Sequence, residues 1–92
     1  MTFTTQEVEK IITDSVASGL DAEVVCIHSV LSVNGTHAFH VLWRDPEKAR
    51  GGARYGVHSG VVLTEDLADL YFGKVHLTKL EANRVFRARG HR

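Results

Sequence analysis

Between two β-prone runs stands Val33-Asn34-Gly35-Thr36. Asn-Gly suits a two-residue type I′ turn because both residues tolerate positive φ. That dipeptide commits the chain to a hairpin, with strands over about 22–33 and 36–43. In regular register from such a turn, Val30 faces Phe39, His28 faces Val41 and Cys26 faces Trp43. One sheet face then carries an aromatic and aliphatic lining, which must meet helices.

The segment before the hairpin supplies the first of them. Thr4 and Glu7 have the spacing of a reciprocal capping box, and Phe3 before the cap can pack on Val8 as a hydrophobic staple. Val8, Ile11, Ile12 and Val16 recur at helical spacing, and Gly19 offers a left-handed terminator, so a helix is expected over about 5–18. Arg44 to Arg54 joins the only proline to a Gly-Gly pair and four basic residues, which reads as a loop. Tyr55 to Leu63 alternates as a third strand, its glycines marking a bulge or a close backbone approach. Beyond it, Thr64 caps an expected short helix to Phe72, with Leu67, Leu70 and Tyr71 on one side and Gly73 at its end. A second capping box, Thr78 with Glu81, opens a helix over about 79–89. The expected fold class is α+β, in the order α-β-β-β-α-α, with a three-stranded antiparallel sheet packed on helices as one domain, 1–92.

Composition agrees with a chain that folds unaided: 43% hydrophobic and 24% charged residues in a length of 92. Cys26 is the single cysteine, so no internal disulfide forms, and no apolar run approaches the ~18 residues needed to cross a bilayer. The opening Met-Thr-Phe-Thr-Thr-Gln-Glu lacks the basic region and apolar run of a signal peptide. A reducing cytoplasm is the expected location.

The chemistry-bearing residues do not assemble into a known catalytic pattern. Among the six histidines, His37 and His40 are three apart and point to opposite faces of a strand, so they cannot chelate one ion. His28, His40 and His58 on neighbouring strands would lack thiolate or carboxylate ligands, and polar or satisfied core histidines are the commoner outcome. Cys26, within Val24-Val25-Cys26-Ile27, reads as a small buried hydrophobe. Ser59 is flanked by Val57 and Val61 where a nucleophile elbow needs glycines. Asp66 and Asp69 suit the first turn of a helix for dipole reasons alone. Gly51-Gly52 lacks the Gly-Lys-Ser/Thr ending of a phosphate-binding loop. Neither an enzyme nor a cofactor is expected.

Charge is distributed unevenly although its sum is zero. Residues 1–43 hold five acids against Lys10 alone, whereas residues 44–92 hold ten bases against six acids. The bases form two clusters, Arg44, Lys48, Arg50 and Arg54 in the loop, and Arg84, Arg87, Arg89 and Arg92 at the C-terminal end. Arginine binds phosphate or carboxylate bidentately, so these eight positions are the candidate partner-binding residues. The competing reading is plain solubilising charge, with basic residues in a last helical turn complementing its dipole.

Over its full length the chain resembles the small anti-CRISPR proteins that phages and mobile elements use against the type I-F system. The likeness includes Thr4-Thr5-Gln6-Glu7-Val8-Glu9-Lys10, His40-Val41-Leu42-Trp43-Arg44-Asp45-Pro46 and Arg84-Val85-Phe86-Arg87-Ala88-Arg89. Anti-CRISPR proteins share neither one fold nor one signature, so the resemblance assigns no residue a role. It implies a non-enzymatic inhibitor that binds the RNA-guided surveillance complex in the host cytoplasm and stops target DNA from pairing with the guide. The implied partners are Cas protein subunits and, as a further contact, guide-RNA phosphates, with no membrane. The alternative is a small basic nucleic-acid-binding regulator or an assembly protein.

Overall fold

The computed structural model describes residues 3–31, 35–46, 54–64 and 67–90. Helix α1 (Thr5–Leu20) starts where its capping box requires. Thr4 Oγ1 accepts from the Glu7 N–H at 3.2 Å, and Glu7 Oε1 accepts from the Thr4 N–H at 2.9 Å. Those bonds also hold the Glu7 carboxyl below its ordinary pKa. The helix runs through Gly19 and ends one residue later at Leu20, and the capping residue Asp21 takes the left-handed conformation expected of a glycine. Val8, Ile11, Ile12 and Val16 are all buried, as their spacing requires.

Strands β1 (Glu23–Leu31), β2 (His37–Arg44), β3 (Tyr55–Thr64) and β4 (Leu67–Leu77) form an antiparallel sheet in sequential order, and α2 (Lys79–Gly90) follows. The architecture is α+β, with four strands and two helices where three and three were expected. The difference lies in β4. Leu67, Leu70 and Tyr71 step at three and four, which imitates a helix, although Leu70 opposite Gly60 and Tyr71 opposite Ser59 take opposite faces of the sheet, and beyond them the strand is bulged twice. Between Ser59↔Tyr71 and Val57↔Lys74, and again to Tyr55↔Leu77, β4 spends one residue more than β3. Phe72 and His76 take positive φ values of 53° and 58° at those places. Each extra residue breaks the period of two by which a strand is recognised. Gly73 therefore sits inside a strand rather than ending a helix, and Asp69 is a strand residue with no helix dipole to favour it. Asp66 lies outside the described residues.

The hairpin forms, but one residue out of the expected register. Val30 pairs with Ala38, His28 with His40 and Cys26 with Leu42. Leu31 opposite His37 leaves an odd number of residues between them, which no two-residue loop can close. Gly35 holds φ 85°, while Asn34 lies outside the described residues. The slip moves Cys26, His28 and Val30 to the opposite face from Phe39, Val41 and Trp43. Cys26 is accordingly exposed on the edge strand, not buried.

The sheet separates two apolar clusters. Under α1, Phe39, Val41, Trp43, Val62 and Ala68 meet the helix's four buried aliphatic side chains. The wide rings of Trp43 and Phe39 lie flat across β3 because Gly56 and Gly60 are their cross-strand partners. A Cβ at Gly56 would strike the Trp43 ring, and one at Gly60 would strike both the Asp69 carbonyl and Phe39. Ser15 ties α1 to the sheet edge by accepting the Ala68 N–H at 3.1 Å. On the other face, Ala82 of α2 meets Leu42 and Val57, with Tyr55, Leu77, Val85 and Phe86 around them. The second capping box holds α2 at its start, Thr78 and Glu81 exchanging bonds of 3.1 and 3.2 Å.

Candidate functional site

Helix α2 covers only part of its face. It packs over Leu42 and Val57 and reaches His28 at Gly90, where the described chain ends. Beyond it the same face carries the cross-strand row Val30, Ala38, Val61 and Asp69. Val30 and Ala38 are exposed, and Val61 is half-buried. The neighbouring row is His28, His40, Ser59 and Tyr71, one residue from each strand. The His28 and His40 rings stack in parallel, 6.1 Å apart with 1° between planes.

Arg89 reaches over this row from the last turn of α2. It donates through Nη1 to Ser59 Oγ at 3.0 Å and through Nη2 to the Phe72 carbonyl. Ser59 Oγ also shares a 2.9 Å hydrogen bond with His40 Nδ1. The guanidinium is thus fixed from two sides, and burial lowers its pKa from the ordinary value. No described carboxylate forms a salt bridge with it. Beside it opens a cavity of about 420 Å³ lined by Ala38, His40, Ser59, Tyr71, Phe72 and Arg89, with Phe39 and Gly60 at its floor.

Phe72 owes its place at the rim to the first bulge of β4. In a regular strand its ring would point away from that of Tyr71. With φ at 53°, the two rings instead meet edge-to-face at 4.8 Å and both line the cavity. The Phe72 ring is left 76% exposed. On the α1 face, Trp43 Nε1 donates to His58 Nδ1 at 2.9 Å, which requires a neutral imidazole. Burial, and after it the charge of Arg89, lowers the His58 pKa.

The eight basic candidates scatter. Arg44 is held by Glu23 at 2.6 Å, which raises its pKa. Arg54 is 7% exposed, its Nη1 buried without a hydrogen-bond partner, and its carbonyl accepts the Asp45 N–H at 3.0 Å. Lys48, Arg50 and Arg92 lie outside the described residues. Helical spacing puts Arg84 and Arg87 on the outer side of α2, exposed, and Arg89 on the inner side with Ala82, Val85 and Phe86. Among the described residues, the supposed C-terminal cluster is therefore two outward cations and one inward one.

His37 and His40 do take opposite faces, His37 packing edge-on against Phe3 at 5.8 Å. Among the described residues no three His, Cys, Asp or Glu side chains converge on a metal position. Sequence reasoning had no binding role for His40, Ser59, Tyr71 or Phe72. The available signal was Tyr71-Phe72 itself, two adjacent aromatics that neither a regular strand nor a regular helix buries together. No protein-family model, curated protein or solved structure matches the chain, so the functional reading rests on this geometry and on the sequence resemblance.

Proposed function

We propose that this chain is a non-enzymatic binding protein, and that it acts as the inhibitor its sequence resembles. It would occupy the RNA-guided type I-F surveillance complex in a bacterial cytoplasm and block target DNA. The observation that carries the reading is the charge of the two helices on opposite faces of one sheet. Helix α1 holds Glu7, Glu9 and Asp14 against Lys10, and α2 holds Lys79, Arg84, Arg87 and Arg89 against Glu81. The asymmetry along the sequence is therefore kept in space, and such a dipolar molecule is steered and oriented as it approaches a charged partner.

Arg84 and Arg87 project outward, form no salt bridge with a described residue and suit the phosphates of a guide RNA. The uncovered sheet face beside them suits a Cas protein surface. No helix among the described residues is long and apolar enough to cross a membrane, which is compatible with this setting.

The test adds purified chain to guide-bound type I-F complex and measures target-DNA binding by gel shift. The expected result is loss of DNA binding that saturates at a fixed ratio of chain to complex, with the chain and the guide chemically unchanged. DNA binding that persists at excess chain overturns the reading. Degradation of the guide would replace it with an enzymatic one.

A further inference from the structure

We infer that the cavity under Arg89 is an anchor pocket for an acidic side chain of a protein partner, one whose neighbouring residue is apolar. Four observations converge on it. Arg89 is a cation held on the sheet by a serine hydroxyl and a backbone carbonyl, with no described carboxylate to neutralise it. A partly desolvated cation without a counter-charge is an incomplete ion pair, and a bidentate carboxylate is the group its planar fork completes best. The pocket is concave and, at about 420 Å³, has room for a carboxylate side chain together with the apolar residue beside it.

The other two observations concern the rim. Phe72 takes a left-handed conformation that is unfavourable for a non-glycine residue, and the bulge thereby turns its carbonyl to Arg89 and its ring to solvent. Backbone strain that serves no burial points to a contact made elsewhere. Next to the pocket, Val30, Ala38 and Val61 continue as an apolar strip that α2 leaves open. Arginine and aromatic residues around a pocket beside apolar surface are the composition of an interface anchor.

The same features argue against a nucleic-acid strand here. A phosphodiester chain needs a track of cations, whereas this pocket holds one, and Arg84 and Arg87 leave α2 on its opposite side. Only the partner's identity as a Cas subunit rests on the proposed function; the carboxylate specificity does not.

Two arms test the inference. In the first, nuclear magnetic resonance of the full chain follows Arg89 Nε–H and the amides of Ser59, Gly60 and Phe72 during titration with N-acetyl-Glu-Leu-amide. N-acetyl-Gln-Leu-amide and oligouridine are the comparison probes. The Glu peptide is expected to shift these signals at about millimolar concentration, the Gln peptide to shift them at least several-fold less, and Arg89→Gln to abolish the difference. Equal shifts from both peptides, no shift from either, or a stronger response to oligouridine overturns the pocket.

The second arm measures binding to the type I-F complex. Arg89→Gln and Phe72→Ala are each expected to weaken it about tenfold or more. The Phe72 ring is exposed, so that variant keeps the fold if Arg89→Gln does not. Wild-type binding that both variants retain overturns the pocket's use in this contact. If the peptide arm succeeds and the wild-type chain ignores the complex, the pocket stands and the proposed partner falls.

Discussion

Under α1 the sheet presents Phe39, Val41 and Trp43 to Val8, Ile11, Ile12 and Val16, and all seven side chains are buried. Under α2 the same strands present Leu42 and Val57 to Ala82, and the packing then gives way to histidines, a serine, an arginine and exposed aromatics. The contrast comes from the registers rather than from composition. On the α1 face β3 offers Gly56 and Gly60, so large rings lie down and the helix closes over them. On the α2 face it offers Val57, Ser59 and Val61, and the helix ends above the middle of that run. One face is closed by its helix, and the other is left partly uncovered.

The largest effect that tests this difference belongs to Phe39. Phe39→Ala is expected to lower the unfolding free energy by about 4 kcal/mol, a large share of what a domain of this size possesses. Phe86→Ala, on the half-buried side of α2, is expected to cost about half as much. Urea denaturation of the two variants reads both values, and equal losses would erase the distinction between the faces. Gly60→Ala comes next, at about 2 to 3 kcal/mol. Its new methyl meets the Asp69 carbonyl, a backbone atom fixed in the sheet, as well as the Phe39 ring. A melting temperature unchanged by that methyl group would mean that β3 and β4 can separate freely at this point.

Acid should act on the α1 face before it acts on the helix caps. The His58 pKa is depressed from its ordinary 6.5, so the unfolded chain takes up this proton first. Its contribution is therefore complete above about pH 6.5 and is lost as pH falls through the lower folded value. Protonation also ends the bond from Trp43, because Nδ1 then carries a proton. Glu7 and Glu81, both depressed from 4.5 by their capping bonds, add a second loss that begins only below that value. Melting temperatures across this range should show two descending steps, and His58→Gln should remove the upper one. An upper step that survives in His58→Gln assigns it to another group.

Local chemistry made much of the fold legible, and long-range pairing hid the rest. Thr4 with Glu7 and Thr78 with Glu81 fix two helix starts through atoms three residues apart, so spacing alone reveals them. The glycines of β3 signalled a close approach, although only the sheet shows that Trp43 and Phe39 are what approaches. The register of β1 and β2 depends on a loop that can close with either an even or an odd count, and one residue exchanges every side chain between faces. Strand β4 was hidden because Leu67, Leu70 and Tyr71 are spaced as on a helix, and its later bulges broke the period of two that the rest would have shown, so Tyr71 and Phe72 were missed as candidate site residues. The basic clusters were visible as composition, but Arg54 turned inward, Arg44 found Glu23, and Arg89 parted from Arg84 and Arg87 by its helical phase.

The smallest effect asks whether the open face carries a stability cost. Phe72 buries little of its ring, so nothing in the core depends on it, yet its backbone sits at φ 53°. Glycine occupies that region without the Cβ penalty. Phe72→Gly is therefore expected to stabilise the fold, by about 0.5 to 1 kcal/mol, less whatever Gly loses through its freer unfolded chain. Phe72→Ala keeps the penalty while losing the ring, and is expected to leave stability within about 0.5 kcal/mol of the wild type. Differential scanning calorimetry of the three proteins separates the backbone from the ring. A Gly variant more stable than the Ala variant shows strain held at the rim of the pocket. A Gly variant less stable than Ala means that the bulge is at ease with a side chain there, and the difference between the two faces then reduces to how far α2 extends.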